Sequence, residues 1–446
     1  MTGSVLIKNA SVVSSRSIDI ADVLIAEGRI AAVARDLRLP AEEVIDATGL
    51  HALPGVLDPQ VHLREPGQTW KEDFTTGSAA AAAGGVTGFF DMPNNKPSIT
   101  TVALMEEKKK LAASKCLVHY NFFFGATATN LEEQQAVRNV CGIKVFMGAS
   151  TGDLLVSDPQ ALERIFATGR TLIAVHAEDH ATVQANRQKY AGSRDFADHA
   201  RIRSPEAALK ATKQAVALAL AHHRRLHILH LTTQEEAEFL ASAKVPGLIS
   251  TEVCPQHLFL AAPEVYGRLG SKAMMNPPIR DDRHREALWK ALRAGVIDCL
   301  ATDHAPHTLE EKDLPFGEAP SGMPGLETLL PLFLNEVYHK RITLREVVRW
   351  LCENPVRLYG VINKGVLRPG YDADLVLVDL KKERKVCGRE LLTKVRWSPF
   401  EGEVLRGWPV MTWVGGKRVY CDGEVDYNVR GQEIRIREVP PWPNAF

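Results

Sequence analysis

Histidine, lysine and acidic side chains recur at the ends of short apolar runs in this sequence. His62, His176, His230 and Asp303 each follow or close such a run, and Lys144 lies inside another. A single histidine in a strand is more often a satisfied core residue than a ligand. Packing alone does not easily explain several imidazoles, one carboxylate and one lysine at the carboxyl ends of neighbouring strands. In a parallel α/β barrel, active sites lie at those strand ends. Imidazole nitrogen and carboxylate oxygen suit zinc or a similar divalent ion that keeps open positions for water and substrate.

Lys144 allows two interpretations. A charged amine inside an apolar strand would lose its hydration and would repel a metal ion. In the first interpretation it pairs with a buried carboxylate. In the second, its neutral amine has added carbon dioxide, and the resulting carbamate is an anion whose two oxygens can bridge two metals.

From residue 56 onwards, apolar runs of strand length alternate with helical patterns. Such alternation predicts an α/β fold with a parallel sheet covered by helices. The eight runs favour a (β/α)₈ TIM-type barrel; a doubly wound open sheet is the alternative, and no glycine-rich phosphate loop follows a strand to support it. The runs are Val56-Leu57, Val86–Met92, Cys116–Phe124, Cys141–Met147, Thr171–Ala177, Leu226–Leu231, Leu248–Cys254 and Ile297–Thr302.

Strand patterns without helices occupy both ends of the chain. The first 55 residues are typical of a β meander, and a hairpin is predicted over Gly415-Gly416. We expect residues 1–55 and 366–430 to form one small β-sandwich domain beside a barrel of residues 56–365. Residues 431–446, which include Pro440-Pro441-Trp442-Pro443, are predicted to be a C-terminal arm.

The bulk composition is that of an ordinary globular protein of 446 residues. Lysine plus arginine equal aspartate plus glutamate at 54 each, so no net charge favours nucleic acid or an anionic membrane. The seven cysteines are scattered and form no Cys-x-x-Cys pair, which disfavours a zinc knuckle or a disulfide framework. No stretch reaches the length of a membrane span. These properties predict a cytoplasmic enzyme or binding protein.

Six motifs in the barrel and two in its C-terminal flank resemble those of the dihydroorotase family of cyclic amidohydrolases. The resemblance implies a metal-bearing (β/α)₈ barrel with a β-sandwich made from both termini, and the reversible cyclisation of N-carbamoyl-L-aspartate to L-dihydroorotate in pyrimidine biosynthesis. The motifs are Asp58–Gly67, Asp91–Asn94, Gly142–Met147, Asn276–Pro278, Thr302–His307, Gly325–Thr328, Asp372–Val376 and Ser398–Gly402.

Carried over by motif, the resemblance implies one or two zinc ions. His62 and Asp303 would bind the first, and Lys144, as the carbamate formed with carbon dioxide, would bridge both. His176 and His230 would hold the second. Some members use an aspartate bridge instead, and the alternative in this sequence is Asp153, in a glycine-containing loop.

The resemblance also implies catalytic and substrate-binding roles. Asp303 would take the proton of the attacking water and deliver it to the leaving ring nitrogen. Arg64 would form a bidentate pair with the ring carboxylate, unless it pairs with Glu65 or another acid at the rim. The segment Leu309–Pro320 would act as a lid. The other substrate-binding residues would be Asn94, Asn276, His307, Ser321 and Gly322.

One residue departs from the family pattern. The family has His-x-His at the first strand, and this chain has Gln60 at the first of those positions. A glutamine oxygen is a weak neutral ligand, so the first metal would bind less tightly or be absent. The alternatives left open are a hydantoinase, a dihydropyrimidinase, an allantoinase, or a noncatalytic partner of aspartate transcarbamoylase. We expect a small-molecule substrate and a homo-oligomer, either a dimer or a tetramer.

Overall fold

The computed structural model describes residues 3–149 and 154–437. Short extended segments alternate with helices through the middle of the chain, and strands alone occupy both ends. The strands are β1 (Val5–Val13), β2 (Ile18–Ala26), β3 (Arg29–Ala34), β4 (Glu43–Asp46), β5 (His51–Pro54), β6 (Val56–Val61), β7 (Val86–Asp91), β8 (His119–Gly125), β9 (Gly142–Phe146), β10 (Ile173–His176), β11 (Leu226–Ile228), β12 (Ile249–Val253), β13 (Cys299–Leu300), β14 (Leu375–Lys385), β15 (Val404–Val414), β16 (Lys417–Cys421) and β17 (Glu424–Val425).

The helices lie mainly between the strands of the middle region. They are α1 (Phe74–Ala83), α2 (Val102–Lys115), α3 (Leu131–Ala136), α4 (Pro159–Ala167), α5 (His180–Lys189), α6 (Asp198–Ile202), α7 (Pro205–Ala221), α8 (Gln234–Ala243), α9 (Pro255–Phe259), α10 (Glu264–Leu269), α11 (Asp282–Arg293), α12 (Leu309–Lys312), α13 (Leu329–Tyr338), α14 (Leu344–Val348) and α15 (Asn354–Tyr359). Short 3₁₀ turns span Gly270–Ala273, Leu326–Thr328 and Gly388–Glu390, and a π-helical turn spans Arg349–Glu353.

Many of these helices begin at a polar side chain that ends the preceding loop. The capping oxygen accepts a hydrogen bond from a backbone N–H of the first turn, which would otherwise have no partner inside the helix. These caps set the point at which each loop turns back along the outside of the barrel. The capping residues include Asp73, Thr101, Asp158, Asp179, Ser204, Thr233 and Asp281.

Strands β6 to β13 form one parallel sheet in chain order. Almost every residue in them is buried, as expected for strands with helices on one side and packed side chains on the other. The sheet closes where Val61 pairs in parallel with His304 and the His62 N–H donates to the His304 carbonyl at 2.7 Å. The predicted barrel is therefore confirmed.

A second, mixed sheet of nine strands is built from both termini, as predicted. Its order is β17-β16-β15-β14-β5-β1-β2-β3, and β4 also pairs with β1. The first three strands form the predicted meander, but β4 and β5 run parallel to β1, and the chain passes from β5 into the first barrel strand. The predicted hairpin over Gly415-Gly416 is confirmed, since Val414 pairs with Lys417. The predicted domain boundaries at residues 55 and 366 stay a prediction.

Residues 431–437 lie across the amino-terminal end of the barrel. The Ile434 N–H donates to the Tyr120 carbonyl at 2.7 Å, and its side chain packs with Phe90 and Tyr359 inside the barrel. This end is therefore filled by apolar side chains, and the opposite end is open. The motif Pro440-Pro441-Trp442-Pro443 lies outside the described residues. Among the helices described, none has the length and apolarity needed to cross a bilayer.

Candidate active site at the carboxyl end of the barrel

One cavity at the carboxyl ends of the barrel strands collects most of the predicted site residues. The space between its atoms is about 360 Å³, part of which is open to solvent. All five predicted metal ligands line it, as do five of the six predicted substrate-binding residues. The lining residues are Gln60, His62, Arg64, Asn94, Lys144, Phe146, His176, His230, Asn276, Asp303, Ala305, Ser321 and Gly322.

Three of these residues have a backbone conformation that side chains other than glycine rarely adopt. Arg64, His230 and Asp303 have φ values of 62°, 38° and 47°, in the left-handed region. Such residues cost free energy and persist where the surrounding structure holds them, which is common at functional sites. Each follows a barrel strand directly or within a few residues, so the strain lies where the chain leaves the sheet.

His62 and Asp303 face each other across the cavity. His62 Nδ1 donates to Asn94 Oδ1 at 2.7 Å, which leaves the lone pair on Nε2. That nitrogen lies 2.9 Å from Asp303 Oδ1. Gln60 Nε2 donates to the same oxygen at 2.9 Å, and the buried Gln60 Oε1 has no hydrogen-bond partner among the described residues. A nitrogen lone pair opposite a carboxylate oxygen is an arrangement that a cation would stabilise.

Lys144 lies in β9 and is almost wholly buried. Burial lowers the pKa of its amine to about 7, although the charges of Asp303 and Glu252 act in the opposite direction. No ion pair links it to a carboxylate of the described residues, and its Nζ lies 4.4 Å from the centre of the Phe146 ring. The interpretation of Lys144 as half of a buried ion pair therefore finds no support within residues 3–149 and 154–437. Asp153, the alternative bridging residue, lies outside that part of the chain.

His176 and His230 converge on the other side of Lys144. His176 Nδ1 and His230 Nε2 are 3.1 Å apart, and the two rings are nearly perpendicular. His176 Nε2 donates to Glu178 Oε2 at 2.7 Å, which leaves Nδ1 with its lone pair. Burial lowers the pKa of both imidazoles, so both are neutral near pH 7, as ligands must be.

Glu178 and Arg203 support His176 from behind, and the motif analysis did not assign them a role. Glu178 is fully buried, yet the neighbouring Arg203 and His176 hold its pKa at about 2 against the effect of burial. Arg203 contacts both the Glu178 carboxylate and the Ala149 carbonyl. A carboxylate that orients a ligating imidazole is the usual arrangement around bound metals. The sequence feature that could have indicated this support is the position of Glu178, two residues after His176.

The donor set therefore fits one or two divalent ions. His62 and His176 each donate one ring N–H to an oxygen and present the other nitrogen to the cavity. His230, Lys144 and Asp303 present their polar atoms to the same space. Nitrogen and oxygen donors of this kind suit zinc and its neighbours in the first transition row.

Arg64 provides a cationic wall beside these ligands. Its Nε donates to the Pro306 carbonyl at 3.1 Å, and one terminal nitrogen lies 3.1 Å from His307 Nε2. Burial lowers the pKa of Arg64 to about 10, so it remains charged. The predicted alternative pairing with Glu65 is not seen, because Glu65 contacts Lys115. His307 lies behind Arg64 and is not among the residues that line the cavity.

The predicted lid, Leu309–Pro320, is anchored most deeply by Lys312, and Glu311 and Phe316 also contact Lys71 and Phe196. Lys312, at the end of α12, is wholly buried, and its Nζ donates to the carbonyls of Met274, Pro320 and Gly322 at 3.3, 2.7 and 3.2 Å. Lys312 thereby ties the lid to the backbone next to Asn276 and Ser321. Closure of this segment over a substrate stays a prediction.

Comparisons with known proteins agree with this fold and site. The model of the amidohydrolase family matches residues 51–419. The chain is 36% identical to the dihydroorotase of Methanosarcina acetivorans over 89% of its length and 88% of that relative, and 37% identical to the dihydroorotase of Halobacterium salinarum over 93% and 99%. Among solved structures, the L-hydantoinase (dihydropyrimidinase) of Arthrobacter aurescens superposes with a TM-score of 0.92 at 32% identity, covering 97% of this chain and 99% of that one. This chain belongs to the amidohydrolase family.

Proposed function

We propose that this protein is a dihydroorotase, which interconverts N-carbamoyl-L-aspartate and L-dihydroorotate. The observation that carries the proposal is the charged guanidinium of Arg64 in the same cavity as the three histidines, Lys144 and Asp303. A cyclic amide that bears a carboxylate needs both a hydrolytic centre and a cation close to it. The dihydroorotase relatives, which share more than a third of their residues with this chain, support the same substrate.

His62 and Asp303 would hold one zinc ion, and His176 and His230 a second. Lys144 would bridge the two after its amine has added carbon dioxide, because an amine with a pKa of about 7 is partly neutral and nucleophilic at neutral pH. Bound zinc would supply Lewis-acid polarisation of the ring carbonyl and a hydroxide nucleophile near neutral pH. Gln60 would contribute at most a weak neutral ligand.

Asp303 is the group that we expect to move the proton. In the hydrolytic direction it takes a proton from the attacking water and delivers it to the ring nitrogen that leaves. The Gln60 N–H that donates to Oδ1 fixes the direction of this carboxylate. In the biosynthetic direction the same carboxylate accepts the proton of the attacking amide nitrogen and delivers it to the leaving hydroxide, which departs as water.

The opposite wall would bind and orient the substrate. Arg64 would bind the ring carboxylate, held in place by its contacts with the Pro306 carbonyl and His307. Asn276 Oδ1 is buried and has no hydrogen-bond partner among the described residues, so it can accept from a ring N–H. Ser321 and Gly322 offer backbone groups at the same rim, and Asn94 would reach the substrate beside His62.

A comparison of four substrates tests the proposal. We expect the zinc-loaded protein to turn over dihydroorotate at least tenfold faster, in kcat/KM, than hydantoin, dihydrouracil or allantoin. A preference for a ring without a carboxylate would instead indicate a hydantoinase. Hydantoinase is the second candidate function because of the structural similarity to the Arthrobacter aurescens enzyme. No turnover by protein that retains zinc would instead favour a noncatalytic partner of aspartate transcarbamoylase. The homo-oligomeric state and the cytoplasmic location stay predictions.

A further inference from the structure

A second group of metal-ligating side chains lies inside the barrel, apart from the residues that line the cavity. His227 in β11, Glu252 in β12 and Cys299 in β13 occupy three neighbouring strands, and all three are wholly buried. One nitrogen, one oxygen and the sulfur lie within 4.8 Å of one another. None of the three lines the cavity at the barrel mouth.

The contacts of His227 allow its Nε2 to act as a ligand in this group. Its Nδ1 lies 2.8 Å from Ser250 Oγ, and the Ser250 hydroxyl reaches the Leu226 carbonyl at 3.3 Å. Without a metal, Nε2–H can donate to Glu252 Oε2 while the serine hydroxyl donates to Nδ1. When the ring proton moves to Nδ1, the hydroxyl turns to the Leu226 carbonyl, the serine oxygen accepts from Nδ1–H, and the lone pair lies on Nε2. A ligating histidine ordinarily has its second ring nitrogen held by such a hydrogen bond.

Glu252 is incompletely satisfied. Its Oε2 lies 3.0 Å from His227 Nε2, a contact that needs a proton or a cation between the two atoms. Its Oε1 is buried and has no hydrogen-bond partner among the described residues, and neither has the hydroxyl of Tyr359, whose ring lies 5.4 Å from that of His227. Unsatisfied buried polar atoms are costly and call for an explanation.

Cys299 completes the group as a soft donor. Burial raises the pKa of its thiol well above the ordinary value, so without a metal the thiol keeps its proton. A divalent ion would displace that proton to solvent. The two charges of the ion would then balance one thiolate and one carboxylate, with a neutral imidazole as third ligand. A centre with no net charge is the form in which ionised ligands are tolerated in an apolar interior.

We propose that His227, Glu252 and Cys299 bind one zinc ion, separate from the metals at the barrel mouth. Thiolate, imidazole and carboxylate are all zinc ligands, and a water would take the fourth tetrahedral position. The ion would link three consecutive strands beneath the cavity, and one proton is released from the thiol as it binds. The site does not depend on the proposed enzymatic function.

The sulfur ligand makes the proposal testable without an activity measurement, because no cysteine lines the cavity at the barrel mouth. Protein from cells grown with added zinc is dialysed against a weak chelator and examined by zinc X-ray absorption. We expect a sulfur scatterer at about 2.3 Å from zinc. Protein grown with cobalt instead should have a thiolate-to-cobalt charge-transfer band in the near ultraviolet.

Three variants test whether the zinc–sulfur signal comes from the proposed ligands. Cys299→Ser should abolish the sulfur scatterer and the charge-transfer band. Cys421→Ser, a change to a partly buried cysteine in the terminal sheet, should keep both. Glu252→Gln, which preserves side-chain volume, should hold one zinc fewer per chain than the wild type. Wild-type protein without a zinc–sulfur signal overturns the proposal, as does a signal that survives in Cys299→Ser or an equal zinc content in Glu252→Gln.

Discussion

Replacing Arg64 with methionine tests the proposed substrate, since only a ring that carries a carboxylate needs this cation. Burial lowers the pKa of Arg64 to about 10, so its guanidinium has already lost much of its hydration in the free protein. A carboxylate that binds it therefore displaces little further water from it. A hydrogen bond to a charged group contributes roughly 1.5–3 kcal/mol, and the pair is bidentate. A net loss of about 3 kcal/mol corresponds to a roughly 10²-fold fall in kcat/KM.

The assay is steady-state hydrolysis of dihydroorotate and of dihydrouracil by Arg64→Met, with zinc content measured on the same samples. We expect most of the loss in KM for dihydroorotate, no loss toward dihydrouracil, and unchanged zinc. Arg224→Met is the matched control: Arg224 is similarly buried and its pKa is likewise lowered to about 10, but it donates to the Thr168 carbonyl and does not line the cavity. Equal losses toward both substrates, or a loss of zinc, would mean that Arg64 supports the metal site and does not bind the carboxylate.

Three further changes follow from the contacts around the site. Glu178→Gln should weaken zinc binding about 10–100-fold in a chelator competition, because the His176 imidazole loses its anionic partner; unchanged affinity would contradict this. Lys312→Met should raise KM without changing zinc content, and it should lower the free energy of unfolding in urea by about 3 kcal/mol. The reason is that three buried carbonyls, that of Gly322 among them, lose their donor. Unchanged KM and stability would refute the anchoring role. Burial raises the pKa of Glu327 to about 7, so the contribution of this side chain to the free energy of unfolding falls as pH rises from 4.5 to 7. Glu327→Gln should therefore match the wild type at pH 4.5 and exceed it at pH 8 by about 3 kcal/mol, and identical unfolding curves at pH 8 would contradict the shift.

The barrel could be predicted from the sequence because its strands are buried on both faces. Segments such as Val86–Asp91 and Gly142–Phe146 are apolar almost throughout, and parallel strands between helices have that character. The last strand, Cys299–Leu300, is much shorter than the predicted Ile297–Thr302, because the chain leaves the sheet toward Asp303. The parallel pairing of β4 and β5 with β1 could not be predicted, because strands that follow each other along the chain usually pair antiparallel as hairpins. Here β4 and β5 run parallel to β1 because the chain must continue from β5 into the first barrel strand.

The candidate site could be predicted only as far as its residues lie at strand ends. His176 and His230 both close apolar runs, the family resemblance predicted that they bind the same metal, and their nitrogens lie close together. The contact of Arg203 with Glu178 joins residues 25 positions apart, through two helices and a loop that carry no motif. His227 illustrates the same limit: its strand position was evident, but its neighbours Glu252 and Cys299 depend on barrel register.

Gln60 changes what surrounds the proposed proton acceptor. An imidazole at this position would direct a lone pair toward the cavity, whereas the Gln60 amide donates a hydrogen bond to Asp303 Oδ1. That oxygen also faces the lone pair of His62 Nε2 at 2.9 Å. In the proposed metal site, Gln60 would therefore remove a ligand from one metal position, while its amide adds a donor that fixes the carboxylate. The firmest metal position would then be the one formed by His176 and His230, and Asp303 would owe its direction to the protein as much as to a metal.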